Sequence, residues 1–461
     1  MMLRALGSAL IVLFVSTAFA QTPADELQGY WASSVAYTTP LEGELTLSRN
    51  GNVWHAALGT ARADVQAEGR TLRFAFPGNA GAFRGTLASG GRSIEGFWLQ
   101  PSAATEENPN LGGARQAFAA PVTLRRSGGV YRGVVRALPQ RFTLYLRIFR
   151  NPDDILIGAF RNPEGNNTGG ASRFRVARDN DAVRFHLRYD ENEPELVHDA
   201  TLLQAPERLR LFWPQAGATI ELARVGPEEM PTAFPRPPGS GAYAYQRPQE
   251  TGDGWRTARA GDVGLDEAAV GRAVQRVISS DPFDRQPSLI HSMLIARRGR
   301  LVVEEYFSGH DRNTPHDIRS AGKTFASVLL GTAMRSGVEV NPETRAYTLL
   351  AGMGPFANPD PRKDRITLAH LMTHSAGLAC DDNAEDPISP GNEDLMQSQH
   401  DQPNWWKYTL DLPMANEPGV RYAYCSGNTN LMGAALTTAT HTWLPEYFDR
   451  TIARPLQFGR Y

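Results

Sequence analysis

The sequence predicts a multidomain chain in which N-terminal all-β, barrel-like units precede an α/β domain with helices on an antiparallel sheet. Three observations carry this prediction. Apolar residues alternate with period two from Leu27 to Val225, punctuated by Gly, Pro, Asn and Asp. A Pro- and Gly-rich stretch, Gly226 to Gly254, then denies the chain helix or sheet pairing. Beyond it the apolar spacing becomes helical, most clearly from Phe325 to Met334.

The first twenty residues read as a targeting segment rather than structure. Arg4 gives a positive start, Leu6 to Val15 an apolar centre, and Ala18-Phe19-Ala20 a small-residue cleavage site before Gln21. The apolar part is short for a membrane span. The expectation is export to the periplasm or medium, with no stable membrane span once the segment is removed; an uncleaved N-terminal anchor is the alternative. With 461 residues, two to four domains are expected. A net charge of −2 gives no electrostatic footprint for nucleic acid.

Within the β region, Leu72, Phe74 and Phe76 alternate with polar residues, as do Leu144, Leu146 and Ile148. Asn50-Gly51 and Asp179-Asn180 read as hairpin turns. A faint repeat divides the region. Gly29-Tyr30-Trp31, Phe83-Arg84-Gly85 and Ile94 to Trp98 lead to Val122-Thr123-Leu124-Arg125. Tyr131-Arg132-Gly133 and Ile157 to Phe160 lead to Ile220 to Arg224. Two units follow, 21–126 and 127–226. The Gly-x-Trp start and the Gly-Phe-Trp strand resemble small lipocalin-like barrels. Trp31, Trp54, Trp98 and Trp213 read as core, with a ligand cleft as the alternative. His55, His186 and His198 stand singly, without metal-ligand spacing.

Residues 227–254 read as a semi-extended linker, and 255–461 as the α/β domain. Gly264 to Ile278 has an amphipathic helical pattern with Leu265, Ala269, Ala273 and Val277 on one face. Ile290–Ala296 and Leu301–Tyr306, turned at Arg298-Gly299, read as a hairpin.

The chemistry concentrates at Arg319-Ser320-Ala321-Gly322-Lys323-Thr324, ahead of the apolar run from Phe325. In the first turn of a buried helix, Ser320 and Lys323 would share a face. The plain alternative is that Ser320 caps the helix and Lys323 is a solvated charge. Composition bears on the choice. Of 47 basic residues only Lys323, Lys363 and Lys407 are lysines. A lysine can surrender its proton at accessible pH and serve as a base, whereas a guanidinium cannot.

Five motifs occur in order: Ser292 to Gly299, Glu304 to Phe307, Ser320 to Lys323, Ile366 to Leu378, and Pro418 to Ser426 with Asn430 to Gly433. This series resembles the serine hydrolases related to class C β-lactamases, penicillin-binding carboxypeptidases, esterases and aminohexanoate-oligomer hydrolases, from about Gly254 onward. The resemblance implies Ser320 as acylated nucleophile, Lys323 as its base and Tyr424 as the tyrosine that shares and delivers the proton. It gives His370, His374 and Ser375 structural roles. Tyr424 read without it is a core aromatic.

Tyr424-Cys425-Ser426 replaces the Tyr-x-Asn common in β-lactamases. Ser426 is expected to bind substrate by donating to a carbonyl. The family's third motif, which supplies a second oxyanion N–H, does not occur up to Tyr461. The expectation is an incomplete reading frame, poorly soluble and nearly inactive. Its hairpin would be two-stranded, with an exposed edge and an uncovered apolar face. Cys380 lies in the loop that the resemblance places at the pocket rim, and Cys425 adjoins Tyr424. In an oxidising compartment a Cys380–Cys425 disulfide is expected; two separate buried thiols are the alternative.

The functional expectation is an exported serine hydrolase acting on a small or peptide-like ester or amide. No metal or organic cofactor is expected. The alternative is a non-catalytic binding protein whose barrels hold a ligand beside an inactive hydrolase remnant.

Overall fold

The computed structural model describes residues 25–37, 39–101, 118–138, 140–165, 173–188, 194–204, 207–213, 218–316, 318–384 and 404–461. The expected targeting segment, 1–20, lies outside them.

Two closed eight-stranded barrels form from the alternating region, the strands of one inserted in the chain between strands of the other. Strand β1 (Gly29–Ala36) belongs to the barrel completed by β10 (Arg141–Arg150) to β16 (Ala218–Val225). Between them, β2 (Gly43–Asn50) to β9 (Val130–Val135) close the other barrel by themselves. Along β1, Gly29 faces Ile148 on one edge and Tyr30 faces Val225 on the other. We call these the split barrel and the inserted barrel.

This corrects the division expected at 126/127. That cut falls between β8 (Phe118–Ser127) and β9, which pair Arg125 with Arg132 inside the inserted barrel. Alternation sets which side chains face inward, but not which distant strand completes the ring. The hairpin turns also sit one residue later than expected. Asn50 still pairs with Val53, and Asp179 with Ala182, so Gly51-Asn52 and Asn180-Asp181 make the turns.

Aromatic rings fill both interiors. Trp31, Phe160, Phe174, Phe185 and Trp213 are buried in the split barrel; Trp54, Phe74, Phe83, Trp98 and Tyr131 in the inserted one. In the split barrel the Phe174 ring lies so close over Gly158 that a Cβ there would meet it at 2.3 Å. His55 pairs with Asp64 and His186 with Glu195, while His198 stacks on Trp213.

The stretch expected as a linker is packed. Met230 and Ala233 are buried against the split barrel with Phe283. The Tyr243 hydroxyl donates to Glu305, and the Tyr245 hydroxyl to the Val302 carbonyl. Its prolines do keep it out of helices and strands after the short turn Pro227–Glu229.

Next comes α1 (Glu267–Ile278), capped by the Asp266 side chain on the Ala268 N–H. It buries Val270, Val274 and Val277, while Ala269 and Ala273 are exposed. Branched side chains remove more apolar area from water than alanines, which sets the helix's rotation. The hairpin is β18 (Ser292–Arg297) with β19 (Arg300–Tyr306), turned through Arg298 and Gly299, both at positive φ. A two-residue strand, β17 (Arg256–Thr257), pairs parallel to β19. The expected bare two-stranded piece is therefore a three-stranded sheet. Val302 and Val303 are buried in one cluster with Val270, Val274 and Val277 of α1, while Leu294 stays exposed and β18 remains an edge strand.

From Thr324 onward the described residues contain helices and loops but no strand. They include α2 (Thr324–Arg335), α3 (Ala346–Leu349), α4 (Leu368–Met372), α5 (Trp405–Leu410), α6 (Ser426–Thr440) and α7 (Leu444–Phe448). Their core, with Leu329, Leu371, Leu410 and Leu431, is separate from that of the sheet. The inserted barrel docks on this module through Trp443, which meets the edge of Phe97 and the guanidinium of Arg84. Among the described residues no helix is long and apolar enough to cross a membrane.

Candidate active site

Ser320 lies one turn before α2, not inside it. Residues Arg319–Lys323 form a 3₁₀ turn that runs directly into the helix. With three residues per turn, side chains at i and i+3 eclipse. That stacks Lys323 on Ser320 and puts Nζ 2.9 Å from Oγ. Neither the turn nor α2 receives a side-chain cap, so Ser320 does not serve as one. The expected buried helix is also half open. Leu329, Leu330 and Ala333 face the core, whereas Val328 and Met334 are exposed. Ser320 itself is exposed to solvent.

The other two lysines are committed elsewhere. Lys363 is buried, and its Nζ donates to the Leu410 and Ala357 carbonyls at 2.9 and 3.1 Å. Lys407 pairs with Asp411 at 2.7 Å. Both hold the helical module together.

Tyr424 presents its ring to Lys323, whose Nζ is 5.1 Å from the ring centroid. It sits on the extended segment leading into α6, held from three sides. The Asp382 N–H donates to the Tyr424 carbonyl at 2.7 Å. The next residue, Cys425, is joined to Cys380 by a disulfide with Cα atoms 5.4 Å apart. The Cys425 N–H in turn donates to Nδ1 of His374 at 3.1 Å.

His374 thus belongs to the site's frame, its ring 4.8 Å from that of Tyr424. An imidazole whose Nδ1 accepts a backbone N–H carries its own proton on Nε2. Burial, with Lys323 nearby, pushes its pKa below the ordinary histidine value and keeps it neutral. Its backbone has positive φ, and its carbonyl accepts the Ala423 N–H. Gly377, just beyond, lies so close to the Asn416 carbonyl that a Cβ would meet it at 2.4 Å. His370 and Thr367 close a capping box at the start of α4. Ser375 accepts the Gly419 N–H through its carbonyl.

Ser426 departs from its expected role. Its hydroxyl donates to the Asp382 carboxylate at 2.6 Å, and its N–H to the same carboxylate at 2.9 Å. A hydroxyl has one proton. With that proton on Asp382, Ser426 can offer a substrate lone pairs but no donor. Asp382 is the residue that sequence reasoning missed most plainly. It places an anion at the N-terminus of α6, where the helix dipole favours it, and its spacing from Cys380 was the available signal.

Residues 291–460 match the family model described as Beta-lactamase. This segment is a β-lactamase-related domain. Solved structures similar to the chain include a candidate β-lactamase from Bacteroides dorei DSM 17855, at 18% identity and TM-score 0.29. That match covers 36% of this chain and 45% of the other. A candidate 6-aminohexanoate-dimer hydrolase from Bacillus anthracis matches at 20% identity and TM-score 0.28, covering 34% and 42%. The chain therefore spans less than half the length of these two structures. No curated protein matches it. Within the β-lactamase-related domain, Ser320 and Lys323 share one 3₁₀ turn and meet Tyr424, from the segment before α6, beside the disulfide.

Proposed function

We propose that the chain is an exported serine hydrolase that forms an acyl-enzyme on Ser320. The 2.9 Å contact between Lys323 Nζ and Ser320 Oγ carries this reading. With Lys323 as the free amine, Nζ takes the hydroxyl proton as Oγ attacks the carbonyl carbon of an ester or amide. The tetrahedral intermediate collapses, and the departing alkoxide or amine takes a proton delivered through Tyr424. Water then attacks the acyl ester, losing its proton to the same base; the Oγ–acyl bond breaks, the proton returns to Ser320 Oγ, and the acid leaves. Exposure of Ser320 suits entry of a substrate carbonyl.

Export is supported by the N-terminal pattern and by the Cys380–Cys425 disulfide, since disulfides persist in oxidising compartments. The binding-protein reading gains nothing from the barrel interiors, which are filled by rings. Hydrolysis of a panel of nitrophenyl esters and anilides, compared with Ser320→Ala, tests the proposal. Loss of turnover in the variant is expected; equal turnover in both proteins would remove Ser320 from the mechanism.

A further inference from the structure

Where the split barrel meets the domain that carries Ser320, three histidines converge on a buried arginine. His291, just before β18, is 5% exposed, and Arg161, at the end of β11 (Leu156–Arg161), is 1% exposed. One Arg161 amino group is 3.1 Å from His291 Nε2, and His291 Nδ1 is 2.6 Å from His316 Nε2. His310 stacks on His291 with ring centroids 3.9 Å apart, its Nδ1 against the Ser308 carbonyl. His310 and His316 lie on the stretch between β19 and the 3₁₀ turn of Ser320. Arg319, next to the nucleophile, donates to the Gly165 carbonyl of the split barrel.

Proton counting fixes the state of this cluster. Arginine only donates, so His291 Nε2 must accept, and the neutral ring's one proton is on Nδ1. Nδ1 therefore donates to His316 Nε2. Add one proton to the His291–His316 pair and no arrangement keeps both bonds. If His316 Nε2 gains it, two N–H groups face each other across 2.6 Å. If His291 Nε2 gains it, that N–H points at the guanidinium.

Among the described residues, Asp311 and Glu164 are carboxylates that face the cluster, Asp311 beside His310. Glu164 is engaged by Thr143, Asn162 and Arg141. Tyr145 is another titratable group facing Arg161. One nitrogen from each of the three rings lies within 4.8 Å of the other two, close enough to suggest a metal site. A metal bridging them would strip His291 of its last proton while Arg161 still faces Nε2, beside a second fixed cation.

We propose that His291, His310 and His316, docked on Arg161, form a pH-operated latch between the split barrel and the segment that leads into Ser320. The latch is closed while the rings are neutral and opens when the His291–His316 pair gains a proton. Its existence does not depend on the hydrolase reading; only its effect on activity does.

The sign follows from which form each state excludes. Burial, His310, Arg161 and His316 push His291 down to about 3, and burial lowers His310 as well. The closed latch is thus fully stable above the ordinary histidine pKa of about 6.5, and weakens as pH falls from there towards 3. For each proton excluded, opening gains about tenfold per pH unit.

Hydrogen exchange of the whole chain from pH 8 to 5, corrected for intrinsic rates, reads the latch directly. Amides of 161–165 and 308–320 should hold constant protection above pH 7, then lose about tenfold per unit below 6. Arg161→Gln gives His291 a neighbour that can accept as well as donate. It should keep protection at pH 8 within a few fold and lose at least tenfold less than wild type at pH 5. Should that variant not fold, ¹³Cε1-histidine spectra of the wild type decide. His291 and His310 still neutral at pH 5.5 support the latch. Those two rings titrating near 6.5 with unchanged protection would overturn it, as would Zn²⁺ bound by the three rings at pH 8.

Discussion

Nδ1 of His374 accepts the backbone N–H of Cys425 at 3.1 Å, so a histidine outside the proposed trio of Ser320, Lys323 and Tyr424 helps to set where Tyr424 stands. The bond spans 51 residues of sequence and joins the loop after α4 to the entrance of α6. It requires an unprotonated Nδ1, and His374's lowered pKa keeps Nδ1 free at neutral pH.

His374→Asn retains an acceptor near the same place, and asparagine tolerates the positive φ found there. His374→Ala retains neither. The alanine variant should lower kcat by about tenfold or more with KM nearly unchanged, and the asparagine variant should recover most of the loss. Equal losses in both would mean that the ring itself, not its acceptor, is required.

The same bond predicts a pH effect on stability. His374's folded-state pKa is depressed, so its contribution is present above about 6.5 and is lost as pH falls. Urea midpoints measured from pH 7.5 to 5 should fall more steeply for wild type than for His374→Asn. Parallel curves would contradict the assignment of a neutral ring.

Lys323→Arg keeps the charge and removes the proposed base. We expect hydrolysis to fall by ~10²–10⁴, the usual scale of general-base catalysis. Activity within about tenfold of wild type would make Lys323 a structural residue.

Reducing Cys380–Cys425, which closes a 45-residue separation, should destabilise the domain by ~2–4 kcal/mol. Activity should fall in parallel, because the bridge fixes the segment carrying Tyr424. A lower melting temperature with unchanged kcat would separate the bridge from the site.

Insertion of one barrel's strands between those of the other makes a test by dissection. A fragment spanning 40–137 holds every strand of the inserted barrel and should fold alone, giving a dispersed NMR spectrum. A fragment spanning 138–226 lacks β1, leaving β10 and β16 as open edges, and should aggregate. Adding a peptide of residues 25–37 should rescue it. A soluble, folded 138–226 would show that β1 is dispensable for closure.

Alternation made the strands of both barrels readable, because an inward residue every second position is a local property. The insertion was not readable, since Tyr30 reaches Val225 through a pairing that no local pattern specifies. Ser320 and Lys323 were legible from three-residue spacing, and the composition singled out the lysine. What spacing could not give was the 3₁₀ turn that eclipses the two side chains. Ser426 showed the opposite limit. Its donor capacity was plain from its chemistry, but its commitment to Asp382 depends on the loop brought alongside by the disulfide.

The most direct measurement of the central claim is intact-mass and peptide analysis after exposure to a fluorophosphonate. Acylation chemistry at an activated serine predicts one adduct, on the peptide containing Ser320, absent from Ser320→Ala and strongly slowed in Lys323→Arg. An adduct elsewhere, or equal labelling of wild type and Lys323→Arg, would contradict a Ser320–Lys323 nucleophile.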